Sequence, residues 1–211
     1  MKFSLSPRLA LLIIAAMFLL PLLLAWMMYS GTLDFRPNST RNLGSLVEPP
    51  VPVDWTVTVK LSGEANLAAR PEQGTGVFDE HWVILQPVPA GCDDSCLKKV
   101  ASLRQIHRAS GRQALRIRLA LLLAEFSPEG QAQNLLAIYP QFHLIRDPSG
   151  LLWEVLGGIQ QDLSGQTRPA TGTYMIDPLG NIMMYYEAGS DPGYIKQDLK
   201  RLLTWSKLDE Q

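Results

Sequence analysis

The longest apolar run of the 211-residue chain lies near its start. From Leu9 to Tyr29, "LALLIIAAMFLLPLLLAWMMY", no side chain ionises except the tyrosine phenol. As a helix rising about 1.5 Å per residue, the run covers roughly 30 Å, the thickness of a bilayer's hydrocarbon core. Pro21 is tolerated in such a helix, and Trp26 and Tyr29 suit an interface. A cleaved signal peptide has a shorter apolar core and ends at a small-x-small site; here the run continues into bulky "WMMY". The expectation is a retained transmembrane helix at 9–29 after a cytoplasmic N-terminus at 1–8. Lys2, Arg8 and the α-amino group precede the span, while Arg36 and Arg41 follow it. The very short N-terminal tail favours N-inside, which puts the remainder outside the cytoplasm.

Beyond the span the pattern changes. Residues 30–52 are rich in Gly, Pro, Asn and Ser and read as a linker. "VDWTVTVKL" (53–61) alternates apolar and polar positions, which predicts a strand. "SGEANLAARPEQGTG" (62–76) reads as a surface loop. "HWVILQPV" (81–88) is continuously apolar, as a buried strand would be. Residues 93–110 carry a helical stripe, and Gly111 supplies a stop. Residues 114–126 predict a second central strand. A helix follows, with Ser127 as cap and Pro128 at its first position. "FHLIR" (142–146) predicts a short strand, and "DPSGLLWEVLGG" (147–158) a helix in preference to a hairpin. Two strands then flank the turn Asp177-Pro178-Leu179-Gly180. An amphipathic helix closes the domain, with Tyr194, Ile195, Leu199, Leu202, Leu203 and Trp205 on its buried side. The domain spans 53–207, with 208–211 as a tail.

Charge narrows the function classes. Lys and Arg number 19 against 20 Asp and Glu, so nothing argues for a nucleic-acid partner. The chain has no serine–histidine–acid set, Gly-rich phosphate loop or zinc spacing. Its candidate chemistry is the pair Cys92 and Cys96 in "GCDDSC", which are the only two cysteines. Cys92 follows a predicted central strand, at the edge where open α/β sheets gather active groups. Near a helix start the dipole favours a thiolate, and Asp93 and Asp94 oppose it. On this placement Cys92 is the more accessible thiol and Cys96 is shielded.

Three roles fit such a pair. A staple closing so short a loop contributes about 2 kcal/mol. A redox pair exchanges with a client's thiols. Two soft thiolates also begin a Cu(I) grip, which needs a third ligand. His107 sits roughly 16 Å along the same helix. His81 opens a strand whose far end is near Cys92, and His143 is placed at that same far edge. Met183 and Met184, adjacent on a strand, face opposite sides, one in the core and the other exposed.

The strand–helix order, with a cysteine motif at the first helix start and a late "YMIDPLGN" hairpin, resembles a thioredoxin-like α/β domain. The C-x-x-x-C spacing is similar to the Sco/SenC branch, and more closely to small single-span Sco-like membrane proteins encoded with proteobacterial cytochrome c oxidase genes. "NLGSLVEPP", "GCDDSC" with "LRQ" after it, "IDPLGNIMMYY" and "DLKRLLTWS" carry the likeness. The resemblance implies a Sco-related thioredoxin-like domain in the periplasm on one N-terminal transmembrane helix in the inner membrane. It also implies a role in cytochrome c oxidase assembly, with oxidase subunits or other assembly factors as partners. Sco proteins bind copper through the two cysteines and a histidine about five residues before the hairpin tyrosine. Counting back from Tyr174 gives Pro169, and "GQTRPATGTY" has no histidine. The favoured reading is therefore thiol–disulfide exchange, in which Cys92 attacks and Cys96 resolves. The alternative is a non-enzymatic assembly module whose cysteines are structural or carry Cu(I) transiently.

Overall fold

The computed structural model of the chain describes residues 6–30, 41–61, 76–165 and 169–206. It divides into two compact units, 1–41 and 42–211. In the first, helix α1 runs over Pro7–Tyr29, with one proline in its opening turn and Pro21 inside it. Among the described residues it is the one helix long and apolar enough to cross a membrane.

The second unit is built on a mixed sheet. Its described strands are β1 (Ser45–Pro52), β2 (Val59–Leu61), β3 (Trp82–Val88), β4 (Ile117–Leu123), β5 (Phe142–Arg146), β6 (Thr173–Ile176) and β7 (Asn181–Tyr186). They lie in the order β1-β7-β6-β3-β4-β5-β2. β3, β4 and β5 are parallel neighbours, and the remaining pairings are antiparallel. Parallel neighbours need crossover helices, here α2 (Asp94–Ala109) and α3 (Glu129–Ile138). Two further helices, α4 (Leu151–Ser164) and α5 (Pro192–Trp205), flank the β6–β7 hairpin in sequence.

Side chains alternating along the strands split the core in two. Ile84, Leu119, Leu121 and Leu144 pack with Val100 and Leu103 of α2, Leu135 of α3 and Leu199 of α5. Val83, Leu85, Ala120 and Leu122 pack with Leu152, Leu156 and Ile159 of α4. All seven residues of β3 are buried, as its unbroken apolar run predicts.

Several local expectations need correction. Residues 53–61 are not one strand. The Asp54 carboxylate accepts the Thr56 N–H at 2.9 Å and caps a 3-10 turn over Trp55–Val57. A side-chain acceptor that satisfies nearby backbone competes with a sheet ladder, so only Val59–Leu61 pairs with β5. Conversely, the stretch expected as a linker holds β1, which pairs with β7. Of the loop expected at 62–76, only Gly76 lies within the described residues. The helix expected to begin at Pro128 starts one residue later, with Pro128 in the cap position. Ser127 does not cap it, and its buried hydroxyl has no hydrogen-bond partner.

Helix α4 forms, but it begins at Leu151. Asp147 holds its start from outside: Oδ1 accepts the Ser149 and Gly150 N–H groups, and Oδ2 accepts that of Leu152 at 2.7 Å. On α5, Ile195, Leu199 and Leu203 are buried, whereas Tyr194 is exposed. The side chain of Trp205 lies outside the described residues. The methionine pair also departs from simple alternation. Ile182 pairs with Ile176, but Met184 pairs with the very next residue, Met175. Met183 is therefore the extra residue of a bulge. Met184 is buried, and Met183 packs half-buried against the same core.

One buried carboxylate joins distant segments. Asp198 of α5 accepts the N–H groups of Leu43 and Gly44, each at 2.9 Å, and the Tyr186 hydroxyl at 3.1 Å. A Cβ at Gly44 would lie 2.5 Å from the Tyr186 ring, so this approach requires glycine.

Candidate functional site

The cysteine pair sits where β3 gives way to α2. The strand ends at Val88, and a loop through Gly91 turns the chain with a φ of +78°, which glycine adopts without strain. Gln131 of α3 fixes this loop. Its Oε1 accepts the Gly91 N–H at 2.9 Å, and its Nε2 donates to the Pro89 carbonyl at 3.0 Å. Cys92 follows, one residue ahead of the helix cap.

The cap is Asp93. Its Oδ1 accepts the Cys96 N–H at 2.9 Å and the Ser95 hydroxyl at 2.8 Å, in the manner of an N-terminal capping side chain. Those two hydrogen bonds hold the Asp93 carboxyl below its usual range. The helix expected from Asp93 thus begins at Asp94, and Cys92 stands outside it. Cys96 lies in the first turn. The two Cα atoms are 5.3 Å apart, and the sulfurs are joined in a disulfide. The pair spans the cap of α2 rather than a full helical turn. Both cysteines are half-buried against the α2 side of the core. Sequence reasoning expected Cys92 to be the open one and Cys96 the shielded one. The structure gives them the same class of exposure, and Cys96 lines the adjoining groove.

That groove has a volume of about 680 Å³. It lies between the start of α2, the segment leading into β6, and the turn before α5; Cys96, Lys99, Gln86, Thr171, Ser190 and Ile195 are among its walls. The β6 approach is held from two sides. Gln160 of α4 accepts the Thr171 N–H at 3.0 Å. Gln86, buried in β3, accepts the Thr173 hydroxyl at 2.7 Å. Gly172 between them has no room for a side chain, because a Cβ would lie 2.6 Å from the Tyr186 carbonyl oxygen. Lys99, three residues beyond Cys96, donates to the Thr171 carbonyl at 3.1 Å. Burial pushes its ammonium down to about 8.

Sequence reasoning missed Lys99 and Gln86. Their signals were present: a lysine at i+3 from a candidate cysteine, and a lone amide in an apolar strand.

The donor set for a metal can be tested directly. His81 Nδ1 lies 2.6 Å from the Asp79 carbonyl, and His107 Nε2 lies 3.1 Å from that of Ala114. His143 meets the Phe78 ring edge-on. None of the three lines the groove. Pro169 is exposed and is not part of the wall, which the chain reaches at Thr171 and Thr173. Among the described residues, no three of His, Cys, Asp and Glu gather as metal ligands. Those residues do not fit a three-ligand copper site.

The family described as "Transmembrane-like, thioredoxin-like, C-terminal domain" matches residues 82–206, more than half of the chain. The chain belongs to that family. The match starts at β3 and ends one residue past α5, so this thioredoxin-like C-terminal domain contains the disulfide, the groove and Lys99. Among solved structures, the chain is similar to apo Sco1 from Thermus thermophilus, at 18% identity and a TM-score of 0.53. That alignment covers 79% of this chain and 99% of the other. It is also similar to a thiol:disulfide interchange protein from Bacteroides sp., at 11% identity and a TM-score of 0.50, covering 77% and 94%. At these identities the likeness is one of fold, a Sco-like thioredoxin fold. No curated protein matches the chain.

Proposed function

We propose that this protein is a membrane-anchored thiol–disulfide exchange factor acting on cysteines of cytochrome c oxidase or of its assembly partners. The domain would stand in the periplasm, with α1 in the bacterial inner membrane. The observation that carries the reading is the Cys92–Cys96 disulfide at a helix start, half-buried and opening on a groove. Both a short span and partial access suit an exchangeable pair better than a buried staple.

In the reducing direction the Cys92 thiolate attacks a client disulfide. One client sulfur leaves with the electron pair of the broken S–S bond, and a mixed disulfide forms. The Cys96 thiolate then attacks Cys92, closing the Cys92–Cys96 disulfide and releasing the second client sulfur. Two electrons pass to the client, and the reverse sequence oxidises it.

Single mutants test the roles. Cys96→Ser should trap a mixed disulfide through Cys92, and Cys92→Ser should trap little. Non-reducing electrophoresis of membranes, with identification of the adduct, reads the result. Absence of an adduct from Cys96→Ser, together with intact oxidase activity in both mutants, would defeat the exchange reading. Loss of Cu(I) binding in both mutants, without any adduct, would instead support transient copper carriage.

A further inference from the structure

Lys99 is an unusual residue to find in the groove. An ammonium half-withdrawn from water is costly unless an opposite charge or full hydration compensates it. Here it has one hydrogen bond, to the neutral Thr171 carbonyl, and among the described residues no carboxylate pairs with it. The charged side chains on the groove wall are Asp93, the cap of α2, and Lys98 and Lys99 within it. The segments facing them, through Thr171 and Thr173 and through Ala188 to Ser190, bring no titratable side chain to the wall. Asp93 and Lys98 are exposed, so water screens them. Lys99 is the shielded charge, and Cys96, three residues earlier on the same helix, lines the same groove.

We propose that Lys99 is a positioning residue for thiol exchange, holding the Cys96 sulfur as a thiolate once the disulfide is reduced. The proposal rests on the exchange reading and adds a source for the resolving nucleophile. In the second step the Cys96 thiolate attacks Cys92 in the mixed disulfide, and the Cys92–client bond breaks. The client sulfur leaves as a thiolate and takes a proton from water. Lys99 stays protonated throughout and supplies only its charge. Its value near 8 keeps it an ammonium at neutral pH. The Cys96 N–H is already bound to Asp93, and Lys99 is the shielded cation on the same groove wall.

The test is the pH profile of Cys96 alkylation by iodoacetamide in the reduced full-length protein in detergent, with peptide mapping to separate the two cysteines. An opposite charge that comes within about 4–6 Å of a thiol lowers its pKa by about one unit or more. Lys99→Met should therefore move the Cys96 midpoint up and slow its alkylation at pH 7 by roughly tenfold, with a much smaller change at Cys92. Lys99→Arg should keep the wild-type midpoint. A Cys96 midpoint unmoved in Lys99→Met overturns the proposal, as does an equal shift at both cysteines, which would mark a general loosening. If Cys96→Ser traps no adduct and both cysteine mutants keep oxidase activity, the exchange reading fails by itself. If it traps one while Lys99→Met leaves Cys96 unmoved, only the role of Lys99 fails.

Discussion

Lys99 also leaves a mark on stability. Its ammonium loses its proton near pH 8 in the folded protein, against 10.5 for the ordinary side chain, because burial disfavours the charged form. Between these values the unfolded chain binds more protons, so stability rises with pH. Below pH 8 both states are protonated and the burial cost is fully present. Above about pH 10 the buried hydroxyls of Tyr174 and Tyr186, both pushed up by desolvation, reverse the trend as unfolded tyrosines ionise first. In the oxidised protein, guanidinium unfolding should therefore show stability climbing from pH 8 to 10 by roughly 2 kcal/mol. Lys99→Met should flatten that rise and be the more stable protein at pH 7. A wild-type profile already flat over this range would show that Lys99 carries no such burden.

At the scale of elements, the domain relies on polar groups that reach across the chain. Asp147 organises the start of α4, Gln131 holds the loop before Cys92, and Asp198 ties α5 to the approach of β1. Asp198 is 1% exposed and accepts three hydrogen bonds on one oxygen, with Arg201 against the other at 3.2 Å. Removing it takes the acceptor from the buried Gly44 N–H, from the part-buried Leu43 N–H and from the buried Tyr186 hydroxyl. Asp198→Ala should cost about 3 kcal/mol. Hydrogen exchange should locate the damage. The amides of β1 should lose protection first, while those of β3 and β4 stay protected in the centre of the sheet. Uniform loss across the sheet would show that Asp198 supports the whole domain rather than its edge.

For the whole molecule the matter to test is placement at a membrane. Helix α1 has the length and apolarity for a span, and the proposed orientation puts the disulfide outside the cytoplasm. The chain should remain in the membrane pellet after alkaline carbonate washing. In intact spheroplasts, after reduction, a membrane-impermeant maleimide should label the cysteines of the domain. Labelling only after lysis would reverse the orientation. Release of the chain by carbonate, or a mature protein starting near residue 30, would remove the anchor.

Sequence alone was enough for the features that depend on near neighbours. The unbroken apolar run of β3, the Asp-Pro-x-Gly turn of the hairpin and the stripe of α5 each encode an element through local sterics and burial pattern. The order of those elements then limited the fold, because parallel strands require helical crossovers. The candidate cysteines were legible for the same reason: their spacing and their place after β3 are properties of the chain. What sequence could not decide were contacts between segments far apart in it. The β1 pairing and the bulge at Met183 arise from partners across the sheet. Only folding brings Thr171 over Lys99 and turns Cys96 toward a groove. A side chain's accessibility and charge environment depend on what packs against it, and for Cys96 and Lys99 part of that wall comes from more than seventy residues away.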